Sequence, residues 1–215
     1  MIYPDRWAAG RTLGESLVHL RASHPLVLGL PRGGVPVAAA VHEVLGGDLD
    51  VLLVRKLGVP WQPELAMGAI GEDGVRVLND DVVRQTGVRA DQIAAVEEAE
   101  LAELARRQRM VRARVPRISL RDRTVVIVDD GMATGATVAA ACRVARSQQP
   151  RWITVAVPVS SIEAVDRLQG LSQETVCPLI PRSLAGVGGA YRDFHQLDDD
   201  EMLDLLPTAA EPPNG

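Results

Sequence analysis

The chain has 215 residues, which is enough for one domain with a substantial hydrophobic core. Hydrophobic residues make up 47% and charged residues 24%, and the net charge of −5 argues against nucleic acid as the main partner. Cys142 and Cys177 lie in no metal or redox spacing, so free thiols in a reducing cytoplasm are expected. The first residues do not resemble a signal peptide and no apolar run is long enough to span a bilayer, so no membrane partner is expected.

The first half of the chain contains apolar runs of strand length, separated by helical and turn segments. The predicted elements, in chain order, are a helix over 6–22, a strand over 25–30, a turn over 31–34, a helix over 35–45, a strand over 49–56 and a hairpin over 64–78. The hairpin prediction depends on the Gly-Glu-Asp-Gly sequence at 71–74, which is typical of a turn.

The second half continues the alternation of strands and helices. Its predicted elements are a Glu- and Arg-rich helix over about 91–114, a strand over 124–130, a helix over 137–147, a strand over 151–159, a helix over 161–169 and a strand over 174–180. Continuous apolar strands that alternate with helices predict a doubly wound α/β domain, with a mostly parallel sheet of about five strands and helices on both faces. We expect this single domain to cover 1–206. The acidic residues 198–201 and the Pro-rich end 207–215 are interpreted as a frayed, disordered tail.

Two adjacent aspartates end the third predicted strand. Asp129 and Asp130 lie at its carboxyl end, the edge of such a sheet where ligands bind. The small and hydroxylated residues 131–137 then lead into a helix, whose free N–H groups and positive dipole end suit an anion. A sugar phosphate satisfies both features, because its phosphate would bind the loop while its hydroxyls would donate to the carboxylates.

Residues 125–137, Val-Val-Ile-Val-Asp-Asp-Gly-Met-Ala-Thr-Gly-Ala-Thr, resemble the phosphoribosyl pyrophosphate (PRPP) signature of the type I phosphoribosyltransferases. The resemblance implies transfer of 5-phosphoribosyl from PRPP to a nitrogenous base or related acceptor, with release of pyrophosphate, in nucleotide metabolism. It also implies that Asp129 and Asp130 hold the ribose hydroxyls and stabilise the ribosyl cation. The residues it assigns to the 5′-phosphate are Ala133, Thr134, Gly135, Ala136 and Thr137. Mg²⁺ is the implied cofactor, positioned by the two aspartates indirectly, through PRPP and water.

Two basic segments stand at positions where enzymes of this family bind the pyrophosphate. The loop Pro31, Arg32, Gly33 and Gly34 follows the first strand, where Arg32 is able to pair with two oxygens and the glycines expose amides. Arg55 and Lys56, the only lysine of the chain, end the predicted second strand at the same face. The resemblance makes Arg32 and Lys56 catalytic candidates. From the residues alone, solvated basic side chains explain Arg55 and Lys56 equally well.

Two further segments resemble accessory parts of these enzymes. The arm, residues 57–78, is similar to the flexible arm that closes over the substrate; its Glu64 is an acid able to assist proton transfer or simply a surface residue. The hood, residues 178–200, is similar to the variable segment over the acceptor base. Its Tyr191 and Phe194 either stack on a base or pack the hood's own core. The patterns over 55–69 and 185–194 resemble a bacterial subgroup of uncharacterised phosphoribosyltransferase-like proteins.

Neither the identity of the acceptor nor that of any partner follows from these motifs. Ala133 replaces the acid that handles the purine N7 proton in the hypoxanthine-guanine branch, which disfavours 6-oxopurines and leaves orotate-like, adenine-like and other acceptors. A non-catalytic PRPP-sensing regulator is the alternative function, with the eight arginines between 106 and 123 as a nucleic-acid surface; a solvated helix face paired with nearby glutamates is the simpler interpretation. The apolar arm either folds back on its own sheet or pairs with a partner, and a homodimer is expected.

Overall fold

The computed structural model describes residues 2–207, in which strands and helices alternate along most of the chain. The strands are β1 (Leu26–Gly29), β2 (Asp48–Val51), β3 (Val54–Val59), β4 (Gln62–Gly71), β5 (Arg76–Leu78), β6 (Thr124–Val128), β7 (Trp152–Ala156) and β8 (Glu174–Val176). The α-helices are α1 (Arg6–Ser16), α2 (Gly34–Leu45), α3 (Asp80–Thr86), α4 (Ala90–Arg112), α5 (Ala136–Ser147), α6 (Ile162–Arg167) and α7 (Asp199–Leu203). Short 3-10 helices cover Val18–Ser23, Glu72–Gly74 and Val187–Ala190.

Five strands form a parallel sheet in the order β2-β1-β6-β7-β8. In register, Leu26 of β1 lies opposite Val125 of β6, and Thr124 of β6 lies opposite Trp152 of β7. The central position of β6 means that both of its edges are hydrogen-bonded. The predicted parallel sheet of about five strands is confirmed.

Helices cover both faces of this sheet because its strands are apolar on both sides. Val126 and Val128 of β6 belong to a core that also contains residues of α1, α2 and α4, whereas Val125 and Ile127 belong to a second core with α5. All four side chains are fully buried, and each contributes roughly 1.5–3 kcal/mol relative to an exposed position. Burial of these apolar strand residues therefore stabilises the doubly wound arrangement, and the same residues were the basis for predicting it.

A second sheet has three antiparallel strands in the order β3-β4-β5. Its β4–β5 hairpin turns at Glu72–Gly74, as predicted. The predicted strand over 49–56 was wrong, because β2 ends at Val51 and Arg55 and Lys56 belong to β3. The chain passes between the two sheets at Leu52 and Leu53, which are both buried. Because the apolar run continues through these two residues, the sequence pattern does not reveal that one strand ends and another begins here.

The arm packs on helices of its own chain. Leu57, Val59, Met67 and Ile70 are at most 1% exposed and lie in the same core as apolar residues of α4. The chain itself therefore covers these side chains, as in the first of the two alternatives, but helices do so rather than its sheet. Trp61, at the turn between β3 and β4, is 55% exposed.

One buried ion cluster connects the two sheets with α4. The guanidinium of Arg112 donates to both carboxylate oxygens of Glu72, at 2.7 and 2.8 Å, and to Asp50 at 2.7 Å. The side chains of Asp50 and Glu72 are only 1% and 3% exposed. We call Asp50, Glu72 and Arg112 the buried ion cluster.

The acidic residues 198–201 are not a frayed tail, which corrects that interpretation. Asp198 accepts from the N–H of Glu201 at 2.8 Å, and Glu201 accepts from the N–H of Asp198 at 2.9 Å. These reciprocal bonds cap α7, where negative charge is favourable at a helix N-terminus. Met202 and Leu203 anchor the helix in the core. The predicted disordered tail, apart from Pro207, lies outside the described residues.

The beginning of the described chain is paired with the hood. The N–H of Tyr3 donates to the carbonyl of Ala190 at 2.8 Å, and the N–H of Arg192 donates to the carbonyl of Tyr3 at 2.9 Å. Cys142 is buried on α5, Cys177 is half-buried, and both thiols are free. Within residues 2–207, no helix combines the length and the hydropathy needed to cross a membrane.

Candidate functional site

The two aspartates lie directly after β6, at the carboxyl edge of the parallel sheet. Both are half-buried, and the N–H of Asp130 donates to Oδ1 of Asp129 at 2.9 Å. Burial raises the pKa of Asp129 well above its usual value, and the adjacent charge of Asp130 raises it further. Burial also raises the pKa of Asp130. The edge of the sheet therefore holds two carboxyl groups whose charged forms are both disfavoured.

Arg6 of α1 offsets part of this cost at Asp130. Its Nε donates to Oδ2 of Asp130 at 2.9 Å, and this ion pair lowers the pKa of Asp130 against the effect of burial. The guanidinium also donates to the carbonyl of His195 at 2.9 Å and lies 3.8 Å from the ring centre of Phe194. Arg6 thus joins α1, the aspartate pair and the hood.

The loop after the aspartates forms a cradle at the N-terminus of α5. Gly135 precedes the helix with φ of 71°, a left-handed conformation that glycine adopts without strain. The cradle is a pocket of about 200 Å³ lined by Asp129 and residues 131–138. Within the described chain, the N–H groups of Ala133, Thr134 and Gly135 have no hydrogen-bond acceptor. The structure therefore brings all five predicted phosphate residues into one pocket with Asp129.

The loop at 31–34 lies against the aspartates. A Cβ atom at Gly33 would be 2.7 Å from Cγ of Asp130, and one at Gly34 would be 2.6 Å from the carbonyl oxygen of Val128. Only glycine permits this approach of the two loops. Arg32 is one-third exposed, with a guanidinium nitrogen 3.8 Å from Asp199, and it lines a cleft of about 440 Å³ together with Gly33 and Asp130.

Arg55 and Lys56 have different surroundings on β3. Arg55 donates to Glu100 at 2.5 Å and lines a pocket with Pro31 and Thr137, between the two loops. Lys56 donates to Glu64 at 3.2 Å across the β3–β4 hairpin. The structure thus places Arg55 beside the loop residues, while Lys56 is held by the arm.

Tyr191 and Phe194 are stacked on each other, with ring centres 5.0 Å apart. Tyr191 is 6% exposed and its hydroxyl donates to the backbone carbonyl of Asp130 at 2.5 Å. Burial raises the pKa of this hydroxyl, so it remains a donor at neutral pH. Phe194 is 36% exposed and borders the cleft that contains Arg6 and Asp130. Tyr191 supports the backbone of the site, and Phe194 keeps an exposed face toward the cleft.

Two residues of this site were missed by the sequence analysis. Arg6 contacts Asp130 across 124 residues, and no local pattern distinguishes it from the other arginines. Ser161 accepts from the N–H of Ala164 and donates to the carbonyl of Ala133 at 2.8 Å. Serine directly before a predicted helix is the usual N-cap signal, so this residue was detectable as a cap, although its contact with the loop was not.

The arginine run at 106–123 is mostly paired with acids. Six of its eight members have a carboxylate partner, namely Arg106, Arg107, Arg112, Arg114, Arg117 and Arg123. Arg112 is largely buried in the ion cluster. The predicted helix face is only partly correct, because α4 ends at Arg112 and only Arg106 and Arg107 pair with a glutamate of that helix, Glu103. The pairing with acids nevertheless disfavours a nucleic-acid surface.

Residues 6–178 match the model of the protein family described as the phosphoribosyl transferase domain. The matched range contains Arg6, both loops and the aspartate pair.

Several known proteins are similar to this chain over most of its length. A Mycobacterium tuberculosis H37Rv protein named "Putative phosphoribosyl transferase" is 52% identical over 208 residues, which are 97% of this chain and 47% of that protein. The chain therefore spans about half the length of this relative. An adenine phosphoribosyltransferase of Mycobacterium marinum is 29% identical over 184 residues, 86% of this chain and 77% of that enzyme.

A crystal structure of a Thermus thermophilus protein has the same fold. It superposes with a TM-score of 0.90 at 42% sequence identity, and the match covers 96% of this chain and 98% of that chain.

Proposed function

The chain belongs to the phosphoribosyl transferase domain family, and from this premise we propose that it transfers 5-phosphoribosyl from PRPP to a nitrogenous base. The observation that supports this proposal is the pocket in which Asp129 lies beside the acceptor-free N–H groups of residues 133–135. A carboxylate next to an amide cradle matches the hydroxyls and the phosphate of a ribose 5-phosphate.

Each part of PRPP has a proposed partner. Asp129 and Asp130 accept from the 2′ and 3′ hydroxyls, and residues 133–137 donate to the 5′-phosphate. The pyrophosphate lies between the loop at 31–34 and Arg55, which share a pocket through Pro31. In the reaction, the bond between C1 and the pyrophosphate oxygen breaks with its electron pair on oxygen. The lone pair of a ring nitrogen then forms the new bond to C1, and a proton carried by that nitrogen leaves to the released pyrophosphate or to water.

The carboxylates also stabilise the positive charge that develops on the ribosyl group. A unit-charge pair at about 4 Å and an effective dielectric constant near 20 contributes roughly 4 kcal/mol. The ion pair with Arg6 favours the charged form of Asp130 that this role needs, because it opposes the rise in pKa caused by burial. The arm and the hood exclude water, which would otherwise capture the cation.

Mg²⁺ fits this site as an ion held mainly by the substrate. Among the described residues, no group of three or more His, Cys, Asp and Glu side chains could hold a metal alone. Asp130 is engaged by Arg6, whereas Asp129 makes no ion pair among residues 2–207. Mg²⁺ is commonly bound by one or two carboxylates together with phosphates and water, which matches this donor set. When bound, it would neutralise charge on the leaving pyrophosphate.

PRPP binding is the first test of the proposal. Calorimetry with PRPP and Mg²⁺ should show binding that the double variant Asp129→Asn, Asp130→Asn loses by at least about tenfold, because each charged hydrogen bond contributes roughly 1.5–3 kcal/mol. Circular dichroism of the variant should match that of the parent. An absence of binding by the parent at millimolar PRPP would refute the proposal.

Turnover separates the enzyme from the PRPP-sensing regulator. The enzyme should release pyrophosphate from PRPP with one member of a panel of bases, and Lys56→Ala and Arg32→Ala should lower turnover far more than stability. A regulator should bind PRPP without turnover and bind RNA or DNA in a strongly salt-dependent manner. The paired arginines at 106–123 favour the enzyme. Unchanged turnover in Lys56→Ala would remove that lysine from the mechanism.

We further propose that the protein acts as a homodimer. Type I enzymes, which this chain resembles, are commonly dimers, and Trp61 at the turn of the arm is a large exposed apolar side chain. Isologous pairing through such a surface is the commonest symmetric arrangement.

A further inference from the structure

A second polar pocket adjoins the cradle for the 5′-phosphate. It has a volume of about 440 Å³ and shares Ala133 and Thr134 with the cradle. Its other walls are the beginning of α6 and the hood segment 181–184. Ser161 fixes the loop to α6, because it caps that helix at Ala164 and donates to the carbonyl of Ala133. A ligand in this pocket would lie next to a ribose 5-phosphate bound in the cradle.

The charge of this pocket is positive. Arg167 and Arg182 line it, Glu163 is its one acidic residue, and neither arginine has a carboxylate partner within residues 2–207. The arginines of the 106–123 run, by contrast, mostly have such partners.

The loop residues that line the pocket carry no carboxylate that could accept a hydrogen bond from a nitrogenous base. Ala133 has no ionisable group, and Ser161 uses its proton on the carbonyl of that residue. A neutral base with an N–H donor would therefore find few charged acceptors here, whereas an anionic group would find two guanidinium groups. Guanidinium matches the planar, two-oxygen geometry of a carboxylate.

We propose that this pocket receives the acceptor and that the acceptor is a heterocycle bearing a carboxylate, held by Arg167 and Arg182. The inference rests on the proposed phosphoribosyl transfer and names the substrate class for it. The carboxylate takes no part in bond formation; it orients the ring so that a ring nitrogen faces C1 of the ribosyl group. Specificity then comes from charge, since the neutral analogue of the same ring leaves both arginines without a partner.

Matched pairs of bases test this proposal. Orotate and uracil differ by a carboxylate, nicotinate and nicotinamide differ by a carboxylate against an amide, and adenine represents a neutral purine. Each compound is titrated calorimetrically into the full chain without PRPP, and each is also assayed for pyrophosphate release with PRPP and Mg²⁺. We expect an acid to bind and react at least about tenfold better than its neutral partner, the gain of one charge-assisted hydrogen bond.

The variants Arg167→Ala and Arg182→Ala should each remove that preference while leaving PRPP affinity unchanged. Arg121→Ala is the matched control, an exposed arginine on a turn outside the pocket. Preference for the neutral member of both pairs, turnover with adenine alone, binding of no acid at millimolar concentration, or an acid preference that survives both substitutions would overturn the inference. In each of these cases pyrophosphate release with any base of the panel shows that the proposed function still stands, whereas loss of PRPP binding by the parent refutes the function itself.

Discussion

Asp129 carries a carboxyl group whose pKa is raised first by burial and second by the charge of Asp130. The folded chain therefore binds this proton more tightly than the unfolded chain, in which the pKa is about 3.9. Stability falls as the pH rises from the unfolded value to the higher folded value, and it stays reduced above that range. At neutral pH the fold is therefore less stable than it would be without this raised pKa, and a bound diol would offset that cost.

Replacing Asp129 by Asn should therefore raise the free energy of unfolding at pH 7 while PRPP affinity falls. The gain should disappear at pH values below the unfolded carboxyl pKa of about 3.9, because both states are then protonated. Urea unfolding at neutral and acid pH measures the difference. Asp166→Asn, at an exposed position on α6, is the control and should have little effect. A less stable Asp129→Asn protein at pH 7 would contradict this account.

Arg6 should set the pH range in which Asp130 works. Arg6→Gln removes the ion pair that lowers the pKa of Asp130, so PRPP binding should begin at a higher pH than in the parent. Arg6→Lys keeps the charge and should shift the profile less. Calorimetry across pH measures the midpoints, with Arg11→Gln as a control on the exposed face of the same helix. Identical midpoints in all four proteins would show that Arg6 has only a structural role.

The aspartate pair could be predicted because its signal is local. Thirteen consecutive residues carry the strand, the acids and the loop, and the structure keeps Asp129 and the loop together in one pocket. Arg6 could not be predicted, since its partner is 124 residues away and any exposed helix carries similar arginines. Tyr191 was a candidate for contact with a base, but the bond from its hydroxyl to Asp130 depends on how the hood folds back.

At the scale of elements, the buried ion cluster joins β2, the β4–β5 turn and α4. Removing the guanidinium leaves Asp50 and Glu72 buried without a counter-charge, so Arg112→Met should lower the free energy of unfolding by roughly 3–5 kcal/mol. Arg114→Met is the matched control: its pair with Asp204 is exposed, and its loss should cost less than about 1 kcal/mol. Urea unfolding of both variants checks the difference. Equal effects would mean that the cluster does not hold the elements together.

Most elements could be predicted from the spacing of apolar residues and the length of each apolar segment. The elements that were predicted wrongly have identifiable causes. β3 was merged with β2 because Leu52 and Leu53, which join the two sheets, are as apolar as the strands. α7 was taken for a tail because its first turn is acidic, although acidic residues stabilise that end of a helix. Both errors involve segments whose contacts, rather than local composition, decide their structure.

At the scale of the whole molecule, the proposed homodimer should give a mass of twice 23.1 kDa by light scattering at micromolar concentration. Since the arm buries most of its apolar residues within the chain, Trp61 is the exposed side chain expected to contribute to pairing. Trp61→Ser should then increase the monomer fraction, while Trp152→Ser, at a tryptophan 40% exposed elsewhere, should not. A 23.1 kDa species for the parent would refute the dimer.

Shared sites between the two subunits are a separate prediction. Mixing Lys56→Ala subunits with Asp130→Asn subunits should restore pyrophosphate release if the arm of one chain completes the site of the other. Mixed proteins that stay as inactive as both parents would mean that each chain carries a complete site. The two unmixed variants, assayed at the same total concentration, are the controls.

The contact of Arg6 with the hood also has a consequence for synthesis on the ribosome. The guanidinium of Arg6 and the carbonyl of His195, its hydrogen-bond partner, are 189 residues apart in sequence. At a translation rate of about 5–20 residues per second, α1 is made roughly 10–40 s before this partner exists. During that interval Asp130 emerges with Arg6 available but with no hood to hold it. A nascent chain therefore completes its binding site only after the hood has left the exit tunnel.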